Sequence, residues 1–330
     1  MNKKGLVVLV VIAAILAVLG FLSLTAEKEE VQVSETASDF MKFEKSFNFG
    51  NGNSNSNLRK TKGDFIAVIY IEGVIGTENK TYNQEWILNT IKELKENSKN
   101  KGILLFIDSP GGTVYESDET YLALMDYKKS SGKSVYAYFG SMAASGGYYI
   151  GCAADKIFAN RNCLTGSIGV IAGSSLDATE LMSKIGIKSK TFHAGRNKTM
   201  LSLSEPLTQE QEEIMQSVAD EAYEQFTGIV ADSRHMKLSD VKELADGRVY
   251  TAKQAKANGL IDEICSTAEA EDLIKKDFEG SVEFMDYKYN YTASFMELLS
   301  GAASFITNPA AEAENIAAKA NAPKLNYLAK

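Results

Sequence analysis

From Phe65 onward, short β-branched runs alternate with segments whose apolar residues recur at helical spacing, and this alternation restricts the chain to a few folds. Phe65–Ile71, Gly102–Ile107, Ser134–Tyr138 and Lys156–Ala159 read as strands. Between them, Glu85–Lys95 places Trp86, Ile87, Ile91 and Leu94 at helical spacing, and Asp118–Lys129 reads as a second helix. Strands separated by helices imply βαβ crossovers and a central, mostly parallel sheet with flanking helices. In such folds functional groups gather where strands give way to loops. Ser281–Tyr291 reads as a later strand and Phe295–Ile306 as a helix, and no internal repeat is visible.

The N-terminus has a different character. Lys3 and Lys4 precede Gly5–Leu24, which is apolar apart from Ser23 and matches the roughly 20 residues needed to cross a bilayer as a helix. The positive charges are expected to stay cytoplasmic, placing the rest of the chain outside. A cleaved signal peptide is the rival reading. Its apolar region is usually about 7–15 residues long, and Leu24 stands where a small residue would precede a cut after Ala26. No cysteine follows the run, which excludes a lipoprotein. Residues 27–64 carry charges and then Gly50–Asn57, a composition that buries too little apolar surface to offset its ordering entropy. The expected organisation is an anchor over 1–26, a flexible linker over 27–64, a body over 65–308 and a tail over 309–330. Ala310–Ala322 is rich in small residues that would suit a peptidase cleft, so the tail is a candidate for self-trimming.

Charge and composition remove several function classes. With 35 basic against 43 acidic side chains the net charge is −8, which gives no footprint for nucleic acid. Cys152, Cys163 and Cys265 show no CxxC spacing, and His193 and His235 are far apart, so no zinc set is expected. An odd number of cysteines also argues against a disulfide framework, and three reduced thiols are expected.

Four glycine-rich turns remain: Asp108–Gly112, Ala144–Tyr149, Thr165–Gly169 and Ala194–Lys198. Each taken alone reads as an ordinary turn. Ser145, between small residues at the start of an expected helix over 145–153, has little steric cover. It could be a nucleophile or a helix N-cap. Gly146, with Gly111 or Gly112 from a neighbouring loop, could supply backbone N–H donors to an oxyanion. The segment is not a GxSxG elbow, because Gly140-Ser141-Met142 breaks that pattern. The base could be His193, or a lysine such as Lys198 if burial keeps the amine neutral.

Taken in order, these turns resemble the S49 peptidase family in its short, single-repeat form. The match runs from about Phe65 to Asp262, through Ile71–Gly76, Ser-Pro-Gly-Gly, Ala-Ser-Gly-Gly-Tyr-Tyr, Thr-Gly-Ser-Ile-Gly, Asp246–Thr251 and Ala255–Asp262. The resemblance implies a Clp-protease/crotonase-like α/β fold with a curved sheet, preceded by one transmembrane helix. It places the nucleophile at Ser145, the general base at Lys198, a lysine-orienting hydroxyl at Ser167, and the oxyanion donors at Gly146 and Gly112. Family members often carry an aromatic where Asn197 stands, so this turn departs from the pattern. No metal or cofactor is implied. The implied substrates are signal-peptide remnants at the outer face of the cytoplasmic membrane. The implied assembly is a homo-oligomer, an octameric ring whose sites combine Ser145 and Lys198 from neighbouring protomers. A crotonase-like acyl-CoA enzyme is an alternative that predicts a cytoplasmic protein, against Gly5–Leu24. A non-catalytic membrane scaffold of the same fold is the other.

Overall fold

The computed structural model describes residues 63–290 and 326–328. The expected anchor, nearly all of the linker, the helix expected at 295–306 and the remainder of the tail lie outside the described residues. Among the described residues, no helix is long and apolar enough to cross a membrane.

Strand β1 (Phe65–Glu72) leads through α1 (Gln84–Glu96) to β2 (Asn100–Ser109). The side chain of Asn83 caps α1 by accepting from the Trp86 N–H at 2.8 Å. The short strand β3 (Gly111–Thr113) follows, then α2 (Val114–Ser131), β4 (Ser134–Ala144), α3 (Gly146–Gly151), β5 (Lys156–Ala159) and β6 (Leu164–Gly166). An excursion over residues 171–205 carries only the short α4 (Thr179–Lys184). The chain then returns through α5 (Gln209–Arg234), α6 (Leu238–Leu244), β7 (Val249–Thr251), α7 (Ala252–Ala257), β8 (Glu263–Ile264), α8 (Thr267–Lys275) and β9 (Glu283–Tyr287). A last strand, β10 (Asn326–Leu328), lies within the stretch read from sequence as a tail.

The main sheet has the order β7-β6-β4-β2-β1-β9, with β5 pairing both β4 and β8. Every described pair in it is parallel except β6–β7. This is the mixed α/β fold with a mostly parallel sheet that the alternation implied. Side chains alternate across it. Ile69, Ile71, Leu105, Ile107, Ala137 and Phe139 join the larger core. Ile66, Val68, Leu104, Tyr136 and Tyr138 pack on the other face with Ala270 and Ile274 of α8. Burial on both faces explains why the central strands read as continuous apolar runs.

Several boundaries differ from the sequence reading. Helix α2 starts at Val114, four residues before Asp118, because Thr113 is extended and Glu116 sits favourably in the first turn. Helix α3 spans 146–151 and excludes Ser145, whose φ of 53° is not helical. Strand β4 continues to Ala144, well past Tyr138, because Gly140–Met142 form a bulge within the strand and do not end it. Strand β9 is shorter than Ser281–Tyr291.

Candidate active site

The site forms where β2, β4 and β6 end side by side. Along β2 and β4, Ile107 pairs with Phe139, but Ser109 pairs with Ala143, so β4 holds extra residues at this point. Before the bulge β4 lies against β5 through Tyr136–Phe139, and after it against β6 through Met142–Ala144. Ser145 comes next.

Ser145 has φ 53° and ψ −118°, a region that non-glycine residues rarely occupy, at a typical cost of about 1–3 kcal/mol. The surroundings hold it there. Its N–H donates to the Gly166 carbonyl at 2.7 Å, and its carbonyl accepts from the Tyr149 N–H at 2.9 Å. Ser145 stands at the N-cap position of α3, yet its side chain makes no capping bond, so the hydroxyl is left for other work. The residue is 1% exposed.

Ser167 lies just beyond β6, also at positive φ (49°), with its N–H donating to the Arg248 carbonyl at 2.8 Å. Because Gly166 bonds to Ser145, Ser167 is placed beside the nucleophile candidate. Gly166 has φ 83°, and a Cβ there would fall 2.7 Å from the Tyr250 ring.

On the other side is β3. The Gly111 carbonyl accepts from the Ile75 N–H at 2.8 Å, and the Thr113 N–H donates to the Ile75 carbonyl at 3.0 Å. By strand alternation, the N–H and carbonyl of Gly112 turn to the opposite edge. A Cβ on Gly112 would fall 1.9 Å from the Ile75 oxygen, so no other residue fits. The Gly111 N–H donates to Ser109 Oγ at 3.0 Å, which makes Gly112 the better oxyanion candidate of the two. That Ser109 bond is a local hydroxyl turn which the Ser-Pro-Gly-Gly spelling could have signalled. A Cβ on Gly147 would approach the Ser109 carbonyl to 3.0 Å, so the start of α3 is pressed against this loop. The outer edge of β3 is paired with β10: Asn326 opposite Thr113, Tyr327 opposite Gly112, Leu328 opposite Gly111, antiparallel. Sequence reasoning missed this strand, since Asn-Tyr-Leu is too short to show periodicity.

Lys198 is not bonded to this cluster among the described residues. Its turn is tied to α5 by its neighbours, since Arg196 pairs with Glu210 and Asn197 Nδ2 donates to Glu210 Oε1 at 3.2 Å. Lys198 itself is exposed, and among the described residues no hydrogen bond or ion pair links it to Ser145. The surrounding excursion exposes Leu176, Leu181, Ile185, Ile187 and Phe192, the last at 84%, and α4 buries none of its residues. His193, the other base candidate, is also exposed, with Nδ1 donating to the Gly195 carbonyl at 3.0 Å. The three cysteines are free. Burial pushes the thiols of Cys152 and Cys163 up to about 12, which suppresses the thiolate a cysteine nucleophile would need.

Residues 127–279 match the model of peptidase family S49. A protein of Enterococcus faecium that carries the name signal peptide peptidase SppA is 36% identical over 77% of this chain and 73% of its own length. The chloroplastic serine protease SPPA of Arabidopsis thaliana is 34% identical over 64% of this chain and 31% of that longer protein. Among solved structures, a ClpP1 mutant from Listeria monocytogenes aligns with a TM-score of 0.41 at 20% identity, covering 61% of this chain and 92% of that one.

Proposed function

Because the chain belongs to peptidase family S49, we propose that it is a membrane-anchored serine endopeptidase. In this reading it uses a Ser145–Lys198 dyad to degrade signal-peptide remnants and other peptides at the outer face of the cytoplasmic membrane. The family and the relative named a serine protease support a serine peptidase. The observation that carries the residue assignment is Ser145 itself: strained, buried, free of a capping role, and set beside the Gly112 loop.

In the mechanism, the Lys198 amine takes the Ser145 proton as Oγ bonds to the substrate carbonyl carbon. The resulting oxyanion accepts from the N–H groups of Gly146 and Gly112. The C–N bond then breaks and the lysinium, oriented by Ser167, protonates the leaving amine. Water cleaves the acyl ester and restores both side chains. A peptide suits the site better than an acyl-CoA thioester, because the open edge of β3 already receives an extended strand, β10, in antiparallel register.

The exposure of Lys198 bears on assembly. A neutral lysine base requires desolvation, and the chain by itself leaves Lys198 in water. The excursion that carries it has an unpaired apolar surface, and α2 presents a second one at Tyr115, Leu122 and Met125. Two unlike patches on one chain fit a repeated head-to-tail contact, which gives a ring where the rotation between protomers closes. In this reading the ring is an octamer, and each site takes Ser145 from one protomer and Lys198 from the next.

A fluorophosphonate probe tests the nucleophile. Wild-type protein should be labelled and Ser145→Ala should not. Label that persists in Ser145→Ala would refute the assignment, and an unlabelled wild type would favour a non-catalytic scaffold.

A further inference from the structure

We infer that Asp108 is a positioning residue for the nucleophile: its carboxylate fixes the bulge in β4 that determines where Ser145 stands relative to the oxyanion loop. The inference rests on the reading of Ser145 as nucleophile.

Asp108 belongs to both halves of the site. Its backbone is the root of the Ser109–Gly112 loop, and its carbonyl accepts from the Gly73 N–H at 3.0 Å. Its side chain reaches across to β4. Oδ1 accepts from Ser141 Oγ at 2.6 Å and from the Met142 N–H at 3.1 Å. Ser141 and Met142 lie within the bulge, where the pairing of β4 with β2 slips between Ile107 and Ser109. Bulged residues are left outside the β2–β4 ladder, so their placement there depends on other bonds, which for Met142 include its pairing with Leu164 of β6. Here one carboxylate oxygen provides two of them.

Beyond Met142 the chain has little slack. Ala143 pairs with Thr165 and Ala144 with Gly166, Thr165 Oγ1 donates to the Ala143 carbonyl at 2.6 Å, and Ser145 bonds to Gly166. A shift at Met142 is therefore carried along a paired segment to Ser145. At the other end, Ser109 Oγ holds the Gly111 N–H, and Gly112 follows. Asp108 thus sets the spacing between the attacking oxygen and an oxyanion donor. A misplacement of about 1 Å can cost roughly a hundredfold in rate.

The test compares Asp108→Ala with Asp108→Asn, using peptide kinetics and the rate of fluorophosphonate labelling at Ser145. Asparagine keeps an Oδ1 acceptor for both bonds and removes only the charge; alanine removes both bonds. For Asp108→Ala we expect kcat and labelling rate to fall about 30- to 100-fold with KM changed less than about twofold. Asp108→Asn should stay within about threefold of wild type in all three. Ser141→Ala, which leaves the Met142 bond, should lose about three- to tenfold in kcat, and it decides the matter if Asp108→Ala does not fold. Unchanged kcat and labelling in Asp108→Ala would overturn the inference. Equal losses in the Ala and Asn variants would do the same, since charge and not geometry would then be the cause. Wild-type labelling that survives Ser145→Ala would instead refute the nucleophile, and this inference with it.

Discussion

Gly112 lies opposite Tyr327 across an antiparallel pair, so the backbone edge that would receive a substrate already holds a strand of the same chain. With Gly111 and Thr113 bonded to Ile75, the groups of Gly112 that face Tyr327 are those a peptide substrate would use. Removing residues 326–330 should therefore lower KM for a peptide severalfold and leave kcat nearly unchanged. A KM equal to that of the full chain would mean β10 does not compete for the edge. Intact masses of wild type and Ser145→Ala test self-trimming in the same region, where identical C-termini would exclude it.

Gly112→Ala should cost about 10²–10³ in kcat, the usual effect of losing an oxyanion donor. The added methyl would sit 1.9 Å from the Ile75 oxygen and must push β3 away from its position. Circular dichroism and thermal melting should show the body still folded. Activity close to wild type would remove Gly112 from the oxyanion hole.

Lys198→Ala should lower peptide hydrolysis by about 10²–10⁴, the range for loss of a general base. Lys198→Arg should be nearly as poor, because a guanidinium does not release its proton at working pH. His193→Ala should retain activity, since that ring is exposed and bonded to its own turn. The opposite ranking would make histidine the base.

Mixing the two inactive variants tests the shared site. Ser145→Ala and Lys198→Ala, co-refolded in equal amounts, should recover roughly a quarter of wild-type activity if each site joins two protomers in a closed ring. A mixed oligomer that forms but stays inactive would place both residues within one chain.

Acid stability should depend on Asp262. Burial opposes ionisation of this carboxylate, but hydrogen bonds from Arg234 and the Ile157 N–H, together with the Arg234 charge, bring its pKa below the ordinary value. A depressed carboxylate stabilises the fold above the unfolded-state value near 3.8, and that contribution is lost as pH falls through the lower folded value. Asp262→Asn should lower stability at neutral pH by about 2–3 kcal/mol, less than for a fully buried pair because the carboxylate is part-exposed. The gap from wild type should narrow toward pH 3 in urea melts. A constant gap would mean the charge contributes nothing.

The strands of the central sheet were legible in the sequence because burial on both faces leaves a continuous apolar run, as in Phe65–Ile71 and Gly102–Ile107. Ser145 could be named as a nucleophile candidate from its small neighbours and the motif order. Its backbone strain was not legible, because positive φ at a serine is imposed by partners such as Gly166 that lie far along the chain. The continuation of β4 past Tyr138 was not legible, because the bulge that carries the strand on is held by Asp108, which lies more than thirty residues earlier in the chain. Lys198 could be named from its turn, but its exposure is a property of the folded chain.

The pairing of β1 with β9 has a further effect on how the molecule is made. Phe65 lies opposite Glu283 and Ile69 opposite Tyr287, so the first strand of the body gains its second neighbour only after nearly the whole domain has been synthesised. Contacts so distant in sequence slow folding, and until they form one side of an apolar strand is open to pairing with other chains. A nascent or truncated chain that stops short of β9 would present that bare edge, so its hazard is aggregation, over and above any loss of catalytic rate.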